Sequence, residues 1–120
     1  MAVYARRTKS GRIASNRHRK GSLLLIGTCR ITLHIPHSQS LKQKRGTVKS
    51  VLARLHNEFN VSAAEIDTHD AWQVATLGIA YVSTSAAHAD EVIAKAVRFV
   101  ERQAVDAVLT DYETEIVMAL

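Results

Sequence analysis

The first 57 residues contain no aspartate and no glutamate. They hold 13 of the 16 Lys and Arg, whereas residues 58–120 hold all 11 acids and only Lys95, Arg98 and Arg102. The overall +5 is thus +13 in the first part and 3 − 11 = −8 in the second. Such a split predicts a basic end that attracts polyanions, with acids elsewhere limiting non-specific sticking. Cysteine is nearly absent too. A single Cys29 excludes an internal disulfide and fits a reducing compartment. Because Cys29 falls in an apolar strand pattern, it reads as a small core residue rather than a nucleophile. No apolar run approaches the ~18 residues that a membrane span needs. The early run Leu23 to Ile26 is also too short for a secretory signal.

Other absences narrow the function. Aromatics make up only 5% of the chain, and Trp72, Tyr81 and Tyr112 are scattered, which excludes the stacking signature of an RNA-recognition motif. Trp72 reads as a core residue or hairpin anchor. The chain has no GxxG clamp, zinc knuckle, Walker loop, GxGxxG or nucleophile elbow. No catalytic residue, metal ligand or cofactor is therefore assigned. One His and Asp cluster invites a metal-dependent hydrolase reading: Asp67, His69 and Asp70, with His34 and His37. Asp and His near a turn more commonly cap backbone donors.

A chain of 120 residues at 47% hydrophobic fits one globular domain with its own core. Residues 1–22 stand apart. Arg6, Arg7, Lys9, Arg12, Arg17, Arg19 and Lys20 occur there with no acid and no apolar periodicity, which predicts a disordered basic arm. That arm reads as solvated padding, as a misplaced start, or as a segment that folds onto RNA. Its Arg- and Ser-rich composition also matches an organelle transit peptide. Without it the chain carries 9 Lys and Arg against 11 acids, a net of −2.

Residues 23–120 read as one α+β domain. In 23–35, Leu25, Gly27, Cys29, Ile31, Leu33 and Ile35 share one face, and Thr28, Arg30, Thr32 and His34 the other, which is strand periodicity. Pro36 ends that strand. A helix is predicted over 41–58, capped by Ser40 and Gln43, with Leu41, Val48, Val51, Leu52, Leu55 and Phe59 as its apolar stripe. Strands follow at 61–68 and 72–83, joined as a hairpin, and Gly78 inside the second marks close packing or a bulge. A second helix is predicted over 86–104 and a last strand over 105–117. The order β-α-β-β-α-β predicts a ferredoxin-like sandwich, a four-stranded antiparallel sheet with both helices on one face. The other sheet face would be open to a partner, with a homodimer through it or through an edge strand.

The first turn of the first helix breaks a local rule. Lys42, Lys44 and Arg45 stand where the helix dipole favours acids. Lys42, Arg45, Lys49 and His56 fall on one side of the wheel, and Lys44 lies near the apolar stripe, between solvent and core. The pattern points to an anion site formed by Lys42, Lys44, Arg45 and Lys49, suited to nucleic-acid phosphate. The competing reading pairs these lysines with the hairpin acids Glu65, Asp67 and Asp70.

Several motifs occur together: His34-Ile-Pro-His37, Ser40-Leu-Lys-Gln-Lys-Arg45, Phe59-Asn-Val-Ser62, Ala64-Glu-Ile-Asp67, Asp70 and Trp72-Gln73. In this, residues 24–117 resemble the YlxP-like family, small bacterial proteins with a domain of unknown function. The resemblance implies a ferredoxin-like fold and a bacterial cytoplasmic setting. It also implies an association with translation initiation and ribosome maturation, because such genes often neighbour genes for those processes. It supplies no reaction and no catalytic residue, and family members usually begin near Leu24. Together these observations predict a non-enzymatic factor that binds RNA or a ribosomal subunit through the arm and the helix face. The alternative is a protein-interaction or homodimerisation module without a nucleic-acid role.

Overall fold

The computed structural model describes residues 2–9, 11, 13–15 and 24–119. Its elements run β1 (Ala2–Thr8), β2 (Ile13–Ser15), β3 (Leu25–His34), α1 (Leu41–Glu58), β4 (Ser62–Ile66), β5 (Val74–Ser83), α2 (Ala86–Gln103) and β6 (Val108–Met118). The strands form one sheet in the order β2-β1-β6-β3-β5-β4, and every neighbouring pair is antiparallel. The class is therefore α+β, with two helices on an antiparallel sheet.

β3 occupies the centre of the sheet because it offers a full row of apolar residues to one face. Leu25, Cys29, Ile31 and Leu33 are buried, as are Ala75, Leu77 and Ile79 opposite them on β5. Val48, Val51 and Leu55 of α1 and Ile93, Ala96, Val97 and Val100 of α2 close over this same face. Burial of these aliphatic side chains supplies most of the favourable free energy, at roughly 25 cal/mol per Å² of apolar surface. At Gly27 of β3 an added Cβ would lie 2.9 Å from Ile93 Cγ1, so only glycine lets α2 approach this closely. Gly78 is held by close packing as well, since a Cβ there would sit 3.3 Å from the Ile66 side chain.

Two expectations are corrected. Among the described residues the sheet has six strands, not four. The added pair comes from the segment expected to be a disordered arm: β1 runs along the outer edge of β6, and β2 folds back on β1. Gly11, with φ +86, supports the turn between them in a conformation that side chains disfavour. The strand forms despite its poor apolar periodicity because its partner edge carries acids. Arg6 pairs with Glu115 at 2.7 Å and Arg7 with Asp90 of α2 at 3.5 Å. The remaining basic residues of that segment, Arg12, Arg17, Arg19 and Lys20, lie outside the described residues.

Of the two places expected for Trp72, core or hairpin, the core one is corrected. Trp72 lies in the connection between β4 and β5, not in the core, and is 55% exposed. No helix among the described residues is long and apolar enough to cross a membrane.

Candidate anion-binding site on the first helix

Ser40 caps α1 as its spacing suggests, with Oγ accepting the Gln43 N–H at 3.1 Å. The Gln43 side chain reaches back one residue further than a standard capping box and accepts from the Gln39 N–H. No acid stands in the first turn to answer the helix dipole.

The four basic residues assigned to this helix divide into two groups. Lys42, Arg45 and Lys49 are exposed and make no hydrogen bond or ion pair among the described residues. They stand three and four residues apart, so they form one ridge along the outer side of the helix. His56 is exposed as well.

Lys44 does not belong to this ridge, and its assignment to an anion site is corrected. Its side chain is fully buried within the row Lys44, Val48, Val51 and Leu55. Nζ donates to the carbonyls of Thr68 at 2.7 Å and His69 at 3.1 Å. It also lies 2.9 Å from Glu65 Oε2. That oxygen sits beside the ammonium without the alignment of a hydrogen bond, so the contact is an ion pair. Glu65 can meet Lys44 because it alternates onto the helical face of β4, opposite Leu77. A charge buried at this depth is tolerated only when paired and hydrogen-bonded, and Lys44 is both.

The ammonium thereby organises the β4–β5 connection. Asp67 adopts φ 61, a left-handed conformation, and the Thr68 N–H returns to the Ile66 carbonyl at 2.7 Å in a tight turn. Thr68 Oγ1 then donates to Thr76 Oγ1 at 3.0 Å. Gln73 Nε2 fastens this connection to the β3–α1 loop through the carbonyls of Pro36 and Ser38, at 3.1 and 3.2 Å. The hairpin acids thus behave differently from one another. Glu65 answers Lys44, Asp67 lies 3.9 Å from Arg30, and Asp70 stands exposed. Among the described residues no three His, Cys, Asp or Glu side chains converge as a metal site would require, and His34, His37, Asp67, His69 and Asp70 stand as separate exposed groups.

Four of the five ion pairs among the described residues join a base of the first 57 residues to an acid of the rest. Much of the charge split in the sequence is consumed inside the fold, including Arg6 and Arg7 of the basic segment. Lys9 is exposed, with Nζ donating to the Thr110 carbonyl at 3.2 Å. Among the described Lys and Arg of the first 57 residues, those without a partner form the ridge on α1.

A groove of about 600 Å³ runs beside this ridge, between α1, the β3–α1 loop and the α2–β6 connection. Lys42 and Arg54 contribute its cations. Arg54 is anchored by Nη1 donating to the Gln103 carbonyl at 3.2 Å. Ile35, Val51 and Val105 supply apolar surface, and Gly46 and Ser50 leave its helical wall nearly bare. Periodicity alone could not disclose this groove, because its walls come from three separated segments.

Cys29 lies in the core, where burial pushes its thiol pKa up from 9.0 to about 12. It is therefore a packing residue and an unreactive one.

Comparison with known proteins agrees with the motifs around this helix. Over 77 residues the chain is 36% identical to the Bacillus subtilis (strain 168) protein described as "Uncharacterized protein YlxP", covering 64% of this chain and 84% of that protein. Residues 26–114 match a family described as "Protein of unknown function (DUF503)", a span that leaves out β1 and β2. On that match, the chain belongs to the DUF503 family, and it is YlxP-like.

Proposed function

We propose that this protein is a non-enzymatic cytoplasmic factor that binds the phosphate backbone of RNA, in ribosome maturation or translation, through the exposed ridge of α1. One observation carries the reading: Lys42 and Arg45 near the start of a helix without first-turn acids, and Lys49 about a turn further on, have no partner among the described residues, while the other Lys and Arg of the first 57 residues with described side chains are engaged. Unneutralised cations at the positive end of a helix dipole oppose one another and gain most from an arriving anion. The link to the ribosome rests on the family resemblance, and the order β6-β3-β5-β4 of the four core strands supports a ferredoxin-like fold. Arg6 and Arg7 are tied to acids, so the ridge and not β1 is the proposed contact surface.

The test is co-sedimentation with ribosomal subunits in sucrose gradients at low and moderate salt. Co-migration that weakens as salt rises supports the reading, because phosphate contacts release counterions. Absence from the subunit fractions at low salt contradicts it.

A second reading has its own observation. Among the described residues nothing covers the sheet face opposite the helices, and Val82 and Val108 on it are 63% and 57% exposed. That favours a protein-interaction or homodimerisation module, which equilibrium sedimentation of the protein without RNA would reveal as a stable dimer.

A further inference from the structure

The groove beside α1 shares Lys42 with the basic ridge. We infer that it receives a single-stranded RNA segment of a few nucleotides, with phosphates along α1 and bases turned toward the α2–β6 connection. The inference rests on the phosphate-binding reading and specifies the form of RNA it takes.

Three features carry it. The first is size: about 600 Å³ suits a nucleotide-sized ligand, whereas a duplex is too wide to enter and would touch only the ridge. The second is the placement of charge. From Lys42 to Arg54 the helix rises roughly 18 Å at ~1.5 Å per residue. The two cations therefore stand toward opposite ends of the groove and suit two well-separated phosphates of one strand, not a single phosphate. Lys42 stands on the α1 side, while the Arg54 guanidinium reaches across to the Gln103 carbonyl. The one acid of the groove, Asp106, lies on the facing wall with Gln103. A carboxylate repels phosphate but accepts from the amino groups of base edges, so Asp106 suits a base edge and not a phosphate. The third is the surface between the cations. A Cβ at Gly46 would meet nothing within 4 Å, so the helix backbone is open to close approach. Val105, 82% exposed, offers apolar contact that a base would cover.

The test uses the full chain and a short, labelled, unstructured RNA of mixed sequence, alone and annealed to its complement, followed by fluorescence anisotropy at fixed salt. The single strand is expected to bind roughly tenfold tighter than the duplex, the worth of one or two base contacts. Gly46→Leu fills the groove without changing charge and favours helix, so it should weaken the single strand far more than the duplex. Arg54→Gln should do the same, which covers the case in which Gly46→Leu disturbs the helix. Equal affinity for both RNA forms, or indifference of the single strand to both substitutions, overturns the groove and leaves the ridge reading standing. Binding of neither form at low salt overturns both.

Discussion

Lys44 Nζ lies 2.9 Å from Glu65 Oε2 and ties the first helix to the β4 strand beneath the hairpin. The ammonium is fully buried and also holds the Thr68 and His69 carbonyls, so its removal leaves an acid and two backbone acceptors without a partner. Lys44→Met should therefore destabilise the fold by about 3 kcal/mol in urea unfolding. Adding Glu65→Leu should recover part of that loss, because a buried pair can be replaced by apolar packing. A loss below ~1 kcal/mol for the single variant would mean that the pair is solvated in solution.

Gly46 sits in the middle of α1 with open space where a Cβ would go. Gly46→Ala should raise stability by about 0.5–1 kcal/mol, since glycine costs that much in a helix interior. The increase would appear as a higher urea midpoint with an unchanged slope. A decrease would show that Gly46 packs against something in solution.

Cys29 has a defined pH signature. Its folded pKa of about 12 exceeds the ordinary 9.0, so the unfolded chain releases the thiol proton first as pH rises. The associated stability is complete below pH 9.0 and is lost progressively as pH climbs toward about 12. Compared with Cys29→Ala, the native chain should lose stability faster across that window. A thiol reagent at pH 8 should label Cys29 only after denaturant is added, and rapid labelling of the folded chain would contradict its burial.

Removing residues 1–23 takes away β1 and β2, exposing the β6 edge and freeing Glu115 and Asp90. The family match begins at residue 26, so the remaining chain should fold. An uncovered edge strand invites pairing, and the shortened chain should self-associate more strongly in sedimentation velocity than the full chain. A monomer as well behaved as the full chain would show that β1 does not protect this edge.

The pattern of success between sequence and structure has a physical cause. The α1 bounds match their expected limits of 41 and 58 because a capping residue, an apolar stripe and a stop are all local signals. The alternation of Leu25 to Ile35 likewise marked the buried face of β3, since a strand between two neighbours must bury one row. β1 carried no such signal. Its strand state depends on pairing with β6 more than a hundred residues away and on Glu115 and Asp90, which a local window cannot see. Lys44 was legible in half: its place near the stripe was visible, but burial required Glu65 to face inward and two loop carbonyls to converge. The groove was hidden for the same reason, being formed by segments that only the fold brings together.

The central claim is that the α1 ridge binds phosphate, and the most direct measurement is a salt-titrated RNA affinity of the native chain beside Lys42→Glu/Arg45→Glu/Lys49→Glu. All three positions are exposed and make no hydrogen bond or ion pair among the described residues, so the variant should unfold at nearly the native temperature. The native chain should show a negative log–log salt slope of roughly 0.7 per phosphate contacted, about 2 for the three ridge cations. The variant should lose measurable binding. Equal affinity and equal slope for the two chains would contradict the account and remove the ridge as an RNA-binding surface.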